Sequence, residues 1–274
     1  MPELSELLPL IAVLATVGAV AGVLAGLLGV GGGIVLVPSF YYVFSSMGYD
    51  SPYLMQICLA TSLATIIVTS TRSVLSHNKK GAVDWEVLRT WAPGIAVGAI
   101  TGVLVVAALR SVVLQGIFGV MGICIGLYMG FGRSTWRLAK DMPRGTVRAV
   151  LSVMVGFLSV LMGIGGGSFG VPLMTLHGKR IHRAVATAAG FGGLIALPSV
   201  IAFFFVTIPA GSRPPFTLGA VNLAAFAVVV AMTLMTAPIG VRLAHRLDPK
   251  PLKRIFAVFL VLVASNMIRK AAGW

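Results

Sequence analysis

Ten apolar runs occupy most of this chain, and they constrain its fold more than any other feature. A helix that spans a bilayer needs about 20 apolar residues, and eight of the runs approach that length. Only 10% of the residues are charged, which is too few to cover a water-facing surface. The sequence therefore predicts an all-α polytopic membrane protein. The runs are 7–29, 34–47, 54–75, 91–109, 112–132, 147–164, 168–176, 184–206, 218–240 and 254–270.

Most of the 21 Lys and Arg residues lie in four short segments between the runs, at 72–89, 133–148, 179–183 and 242–254. Cytoplasmic loops of membrane proteins carry such an excess of basic residues. We therefore expect these segments in the cytoplasm, the chain in the bacterial inner membrane, and the N-terminus and the C-terminus outside. The net charge of +14 is then explained without nucleic acid, and we expect no nucleic-acid partner.

The motif around the first glycine cluster returns in the second half of the chain. Segment 28–33 reads Leu-Gly-Val-Gly-Gly-Gly, segment 162–167 reads Met-Gly-Ile-Gly-Gly-Gly, and each precedes a proline. Gly-Ala-Val-Asp at 81–84 likewise matches Gly-Ala-Val-Asn at 219–222. We predict two inverted repeats, each a glycine-broken or re-entrant helical hairpin followed by three transmembrane helices. The alternative for each hairpin is two ordinary kinked helices. The predicted parts are the N-terminal repeat 1–132, a cytoplasmic linker 133–146 and the C-terminal repeat 147–274.

The two glycine clusters are the first candidates for a functional site. Consecutive glycines weaken a helix, and in lipid the freed backbone groups must find a partner. A helix that starts after such a break presents free N–H groups and the positive end of its dipole, which bind anions without a charged side chain. The alternative is that the glycines only allow close helix packing. The predicted substrate ligands here are Gly31, Gly32, Gly33, Gly165, Gly166, Gly167 and Ser168.

Hydroxyl side chains within the apolar runs are the second group of candidates. Thr61 and Thr187 occupy matching places in the two halves, and Ser62 follows Thr61. We predict all three as substrate ligands. The alternative is that they bond to a backbone carbonyl or to a neighbouring helix. Arg72 is a candidate for drawing anions into a vestibule, or else an ordinary membrane anchor.

Several function classes are disfavoured by what the sequence lacks. No Asp, Glu, Lys or Arg lies near the middle of an apolar run, which argues against a carboxylate-based proton relay. The histidines share no metal-ligand spacing, and no nucleophile can be paired with a base. We therefore expect no metal, no cofactor and no enzymatic activity. The expected partners are the lipid bilayer and a small anionic substrate, and a homodimer is left open.

The glycine motifs at 29–33 and 163–168, their following prolines, and the repeated Ala-Thr at 60–61 and 186–187 resemble the sulfite exporter TauE/SafE family of bacterial membrane permeases. The resemblance covers about residues 10–268. It implies a permease for sulfite, sulfoacetate or another organosulfonate. Export is the expected direction, because an anion leaves a negative-inside cell without a coupling ion. The alternatives are a Na⁺- or H⁺-coupled importer on the same fold and a membrane scaffold that transports nothing.

Overall fold

The computed structural model describes residues 4–28, 32–132, 136–244 and 249–273, and these form a bundle of helices. The predicted all-α membrane fold is confirmed, because five helices are long and apolar enough to cross a bilayer. The helices are α1 (Leu4–Leu28), α2 (Gly33–Ser46), α3 (Leu54–Asn78), α4 (Trp85–Ala108), α5 (Ser111–Phe131), α6 (Gly145–Leu161), α7 (Gly167–Leu176), α8 (Ile181–Phe204), α9 (Leu223–Ala244) and α10 (Pro249–Ala271). A 3₁₀ turn at Ala210–Ser212 and two strands, β1 (Thr217–Leu218) and β2 (Val221–Asn222), connect α8 to α9.

Among the described residues, the five membrane-length helices are α3, α4, α5, α8 and the 223–240 part of α9. Helix α6 precedes the second glycine cluster and has only 17 residues, which suits the first arm of a broken hairpin better than a complete span. Helix α1 precedes the first glycine cluster and has 25 residues, which is long enough for a complete span.

One predicted span begins too early. The run 218–240 starts as a helix only at Leu223, because β1 and β2 pair as an antiparallel hairpin in front of it. Gly219 turns this hairpin with a φ of 56°, in the left-handed region that glycine enters without strain. Hydropathy alone does not reveal this turn, because segment 218–221 reads Leu-Gly-Ala-Val and is apolar.

Helices α1–α5 form the first half of the bundle and helices α6–α10 form the second half. The helices of the two halves pack against one another in reciprocal pairs. The first helix of each half packs along the fourth helix of the other, α1 along α9 and α6 along α4. The third helices, α3 and α8, pair with each other, and so do the fifth helices, α5 and α10. Such reciprocal pairs are compatible with a twofold relation between halves, and the inverted repeat itself stays a prediction.

The loops gather at two opposite ends of the bundle. At one end, Ser51 donates its hydroxyl to the carbonyl of Ser212 at 2.8 Å, and the Ser111 N–H bonds the carbonyl of Pro52. At the other end, the Leu138 N–H bonds the carbonyl of Leu176 at 2.8 Å. This second end carries the basic segments 79–89, 136–148 and 179–183, and we refer to it as the basic end. Its predicted cytoplasmic location stays a prediction.

Candidate functional site

The two glycine breaks meet halfway along the central helix α3. A Cβ atom built on Gly33 would lie 2.7 Å from the carbonyl oxygen of Gly163 and 3.0 Å from Cα of Ile164. Ile66 of α3 lies against both Gly33 and Gly165. At 1.5 Å per residue, Ile66 is about 18 Å along a helix of about 37 Å. The contact between the breaks is therefore near the middle of the bundle.

The first break is described from Gly32 onward; the predicted ligand Gly31 lies outside the described residues. Gly32 is the N-cap of α2 and has a left-handed backbone, with φ 50° and ψ −23°. Its carbonyl accepts from the N–H groups of Val35 and Leu36 at 3.0 and 3.1 Å. The left-handed residue turns the chain directly into α2.

The second break turns earlier, at Gly163, whose φ is 60°. The Ile164 N–H bonds the carbonyl of Ser159 at 2.9 Å and closes the end of α6. The next four N–H groups, at 165–168, find no acceptor among the described residues. They form the buried, unpaired amide end of α7, where the helix dipole is positive.

Two buried hydroxyls flank this second break without a partner in the described part of the chain. One belongs to Ser168 in the first turn of α7, and the other to Ser159 near the end of α6. A buried hydroxyl that forms no hydrogen bond is uncommon and costly. These donors add to the free amides of the break, and the sequence did not single out Ser159.

The remaining predicted ligands already have partners within the protein. Ser62 donates to the carbonyl of Gly163 at 2.7 Å and ties α3 to the second break. The Thr61 hydroxyl oxygen accepts from the N–H of Asn222 at 3.0 Å. Thr187 accepts from the N–H of Asp84 at 2.9 Å. The two threonines thus anchor the residues that cap α9 and α4, and their role as ligands stays a prediction.

Arg72 lies apart from the breaks, on an exposed part of α3 toward the basic end. It is six residues beyond Ile66, so about 9 Å separates the two along the helix axis. Its guanidinium forms no salt bridge among the described residues. The structure therefore places Arg72 outside the meeting point of the breaks.

Sequence reasoning missed an ion cluster around the buried carboxylate of Asp84 at the basic end. The Lys179 ammonium lies 2.8 Å from Asp84 Oδ2, and Arg183 Nε lies 3.5 Å from the same oxygen. Burial raises the pKa of Asp84, but the hydrogen bonds from Lys179 and from the Val87 N–H outweigh it, so the pKa lies below its ordinary value. The signal was in the repeated motif at 81–84 and 219–222, which differs only in Asp against Asn.

Comparison with known proteins gives a consistent family assignment. Residues 14–267 match the profile of the family described as Sulfite exporter TauE/SafE. A "Probable membrane transporter protein" of Haemophilus influenzae is 32% identical, over 93% of this chain and 96% of its own. One from Methanocaldococcus jannaschii is 24% identical over 96% and 97%, and YunE of Bacillus subtilis is 25% identical over 93% and 96%. No solved structure matches the chain.

Proposed function

Because the chain belongs to the sulfite exporter TauE/SafE family of membrane transporters, we propose that it exports a small sulfur-containing anion. Sulfite, sulfoacetate and other organosulfonates are the proposed substrates, and the proposed membrane is the bacterial cytoplasmic membrane. The proposal includes no catalytic step, no metal and no cofactor. The proposed substrate site lies beside Ile66, where the two glycine breaks meet.

The observation that carries the proposal is the set of free N–H groups at the second break. Four consecutive amides, at 165–168, lack an acceptor among the described residues, and the hydroxyl of Ser168 lacks a partner too. Fixed donors of this kind can replace the hydration shell that an anion loses in a bilayer. A sulfonate or sulfite group has three oxygens, which suits several donors converging on one site.

The surroundings of the breaks favour an anion over a cation. The buried polar residues of α3 near this level are neutral, namely Thr61, Ser62 and Thr65. Without a buried carboxylate at this level among the described residues, a cation would find only hydroxyl and carbonyl oxygens. Export also needs no coupling ion, since a single negative charge leaving a negative-inside cell gains about 2.3 kcal/mol per 100 mV.

The protein must open for transport, because the meeting point of the breaks is closed in this structure. Thr61, Ser62 and Thr187 have no exposed surface. We propose that 1–132 and 147–274 are inverted repeats that move against each other around the breaks, joined by the linker 133–146. Single cysteines at Lys140 and Ser212 test this topology: only the first should be labelled from the cytoplasm. Labelling of both from one face would refute it.

The transport proposal is tested by flux in reconstituted vesicles. Labelled sulfite, sulfoacetate, thiosulfate and sulfate are loaded, and the membrane potential is clamped with potassium and valinomycin. We expect saturable flux of at least one sulfur anion that follows the potential in the absence of a Na⁺ or H⁺ gradient. Flux that requires such a gradient would identify a coupled importer instead. If none of the four anions crosses the membrane, the remaining alternative is a membrane scaffold that transports nothing.

A further inference from the structure

A cavity of about 360 Å³ opens at the basic end, between the start of α4 and the segment 141–148. Three basic side chains line it, from Arg144, Arg148 and Lys179. Two acidic side chains, Glu86 and Asp141, line it as well. The net charge of this lining is positive, and the N-termini of α4 and α6 add their positive dipole ends beside it.

Asp84 holds Lys179, one of the basic groups that line this cavity. Lys179 Nζ and Arg183 Nε both contact the same oxygen, Oδ2 of Asp84. The side chains of Lys179 and Arg183 remain 30% and 50% exposed, while that of Asp84 is only 8% exposed. Both cations are therefore within reach of a dissolved anion, whereas the carboxylate is shielded from water.

Asp84 connects this cluster to the second glycine break. Its other oxygen, Oδ1, caps α4 by accepting from the Val87 N–H, and its own N–H bonds the hydroxyl of Thr187. Thr187 precedes Ala188, whose carbonyl lies 3.1 Å from a Cβ atom built on Gly166. Asp84 thus contacts the Lys179 ammonium, the start of α4 and the stretch of α8 that packs on the second break.

We infer that Lys179 and Arg183 form the site that receives the transported anion at the basic end, and that the anion replaces Asp84 as their partner. This inference rests on the proposed function. Exchanging a carboxylate for another oxyanion keeps both cations paired. Asp84 then keeps only the Val87 N–H on Oδ1, so its carboxylate must reach water as the start of α4 moves away. Release of Asp84 frees the start of α4 from segment 179–183 and unlocks the path toward the break.

The opposite end of the bundle has a matching helix cap that forms no ion pair among the described residues. Asn222 caps α9 by accepting from the Ala225 N–H at 2.9 Å, as Asp84 caps α4. Its amide donates to the carbonyl of Pro215 and to the hydroxyl of Thr217, at 2.8 and 3.0 Å. No Lys or Arg pairs with it among the described residues. Among the described residues, this exchange of a carboxylate for an anion therefore has its groups at the basic end, and the two ends differ in how they would receive an anion.

The test compares Asp84→Asn and Lys179→Gln for anion supplied at the basic end of reconstituted protein. Asp84→Asn keeps the cap, as Asn222 demonstrates, and releases both cations. We expect its half-saturating sulfite or sulfoacetate concentration to fall about threefold or more. We expect that of Lys179→Gln to rise about tenfold, as for a lost hydrogen bond to a charged group.

Two charge-matched controls accompany these variants. Lys140→Gln removes a positive charge at the same end without lining the cavity, and Asp50→Asn removes a carboxylate at the opposite end. Both should match the wild type.

If the wild type transports and all four variants have its half-saturating concentration, the inference is overturned while the transport function stands. A wild type that transports none of the anions refutes the proposed function itself. If Asp84→Asn does not fold, Lys179→Gln against Lys140→Gln still decides the inference.

Discussion

The two glycine breaks have the same sequence spacing but different backbones. Gly32 at the start of α2 is left-handed, with φ 50°, whereas the matching Gly166 at the start of α7 is helical, with φ −63°. In the second break the left-handed residue is Gly163, three positions earlier. A repeated motif therefore does not fix which glycine turns the chain. Each glycine has its own physical requirement, and substitution can separate these requirements.

The largest effect is expected at Gly33, because its neighbours are backbone atoms that cannot move aside. An alanine Cβ there would lie 2.7 Å from the Gly163 carbonyl and 3.0 Å from Cα of Ile164. We expect Gly33→Ala to lower the free energy of unfolding by about 3 kcal/mol. Thermal unfolding in detergent measures it, with Gly116→Ala as a control, since nothing lies within 4 Å of that site. Equal stability of the two variants would contradict a direct contact between the breaks.

Gly166 comes next, because a Cβ atom there would overlap Cβ of Phe191 and approach the Ala188 carbonyl at 3.1 Å. We expect Gly166→Ala to cost about 3 kcal/mol as well, because Cβ and the backbone of Phe191 cannot move aside either. Because the obstacle is Cβ and not the ring, Phe191→Leu should fail to restore stability in the double variant. Full rescue would show that the ring sets the spacing between α7 and α8.

The matched threonines extend the comparison to the residues beside the breaks. Thr61→Val and Thr187→Val would each leave a buried N–H unpaired, on Asn222 and Asp84 respectively. We expect each to cost about 1–3 kcal/mol of stability, and affinity for the anion to stay within twofold where the protein folds. If either variant keeps its stability but binds the anion ten times more weakly, that hydroxyl is a ligand, as the sequence predicted.

Gly32 should be more tolerant, because the nearest atom to its Cβ position is the Ala21 carbonyl at 3.4 Å. Only the left-handed backbone opposes a side chain there, so Gly32→Ala should cost about 1 kcal/mol. Gly48→Ala is the matched control, since Gly48 has φ 82° and no atom within 4 Å. A cost at Gly32 far above that at Gly48 would mean that space, not backbone conformation, is limiting.

The sequence predicted the helical membrane fold and the positions of both glycine breaks, because hydropathy and consecutive glycines are local properties. The role of the breaks as a substrate site stays a prediction. It did not predict that the run beginning at 218 starts with a hairpin, since the residues 218–221 that turn it are as apolar as the helix that follows. Nor did it predict the cluster around Asp84, because Lys179 is 95 residues away in the chain. The threonines were recognised as a matched pair, but their backbone partners depend on how the two halves pack.

Gly165 tests the central claim most directly, because it should show the smallest change in stability and the greatest change in function. Its Cβ position meets only ordinary contacts, with Ile66 at 3.4 Å and Gly192 at 3.7 Å. Stability of Gly165→Ala should therefore stay within about 0.5 kcal/mol of the wild type. Stability and anion flux are to be measured on the same preparations, with Gly130→Ala as a control whose nearest contact is 3.6 Å away. If the free amides of the second break hold the anion, the added methyl group at Gly165 crowds it, so Gly165→Ala stays folded and loses flux while Gly130→Ala transports normally. Normal flux through Gly165→Ala would contradict the account.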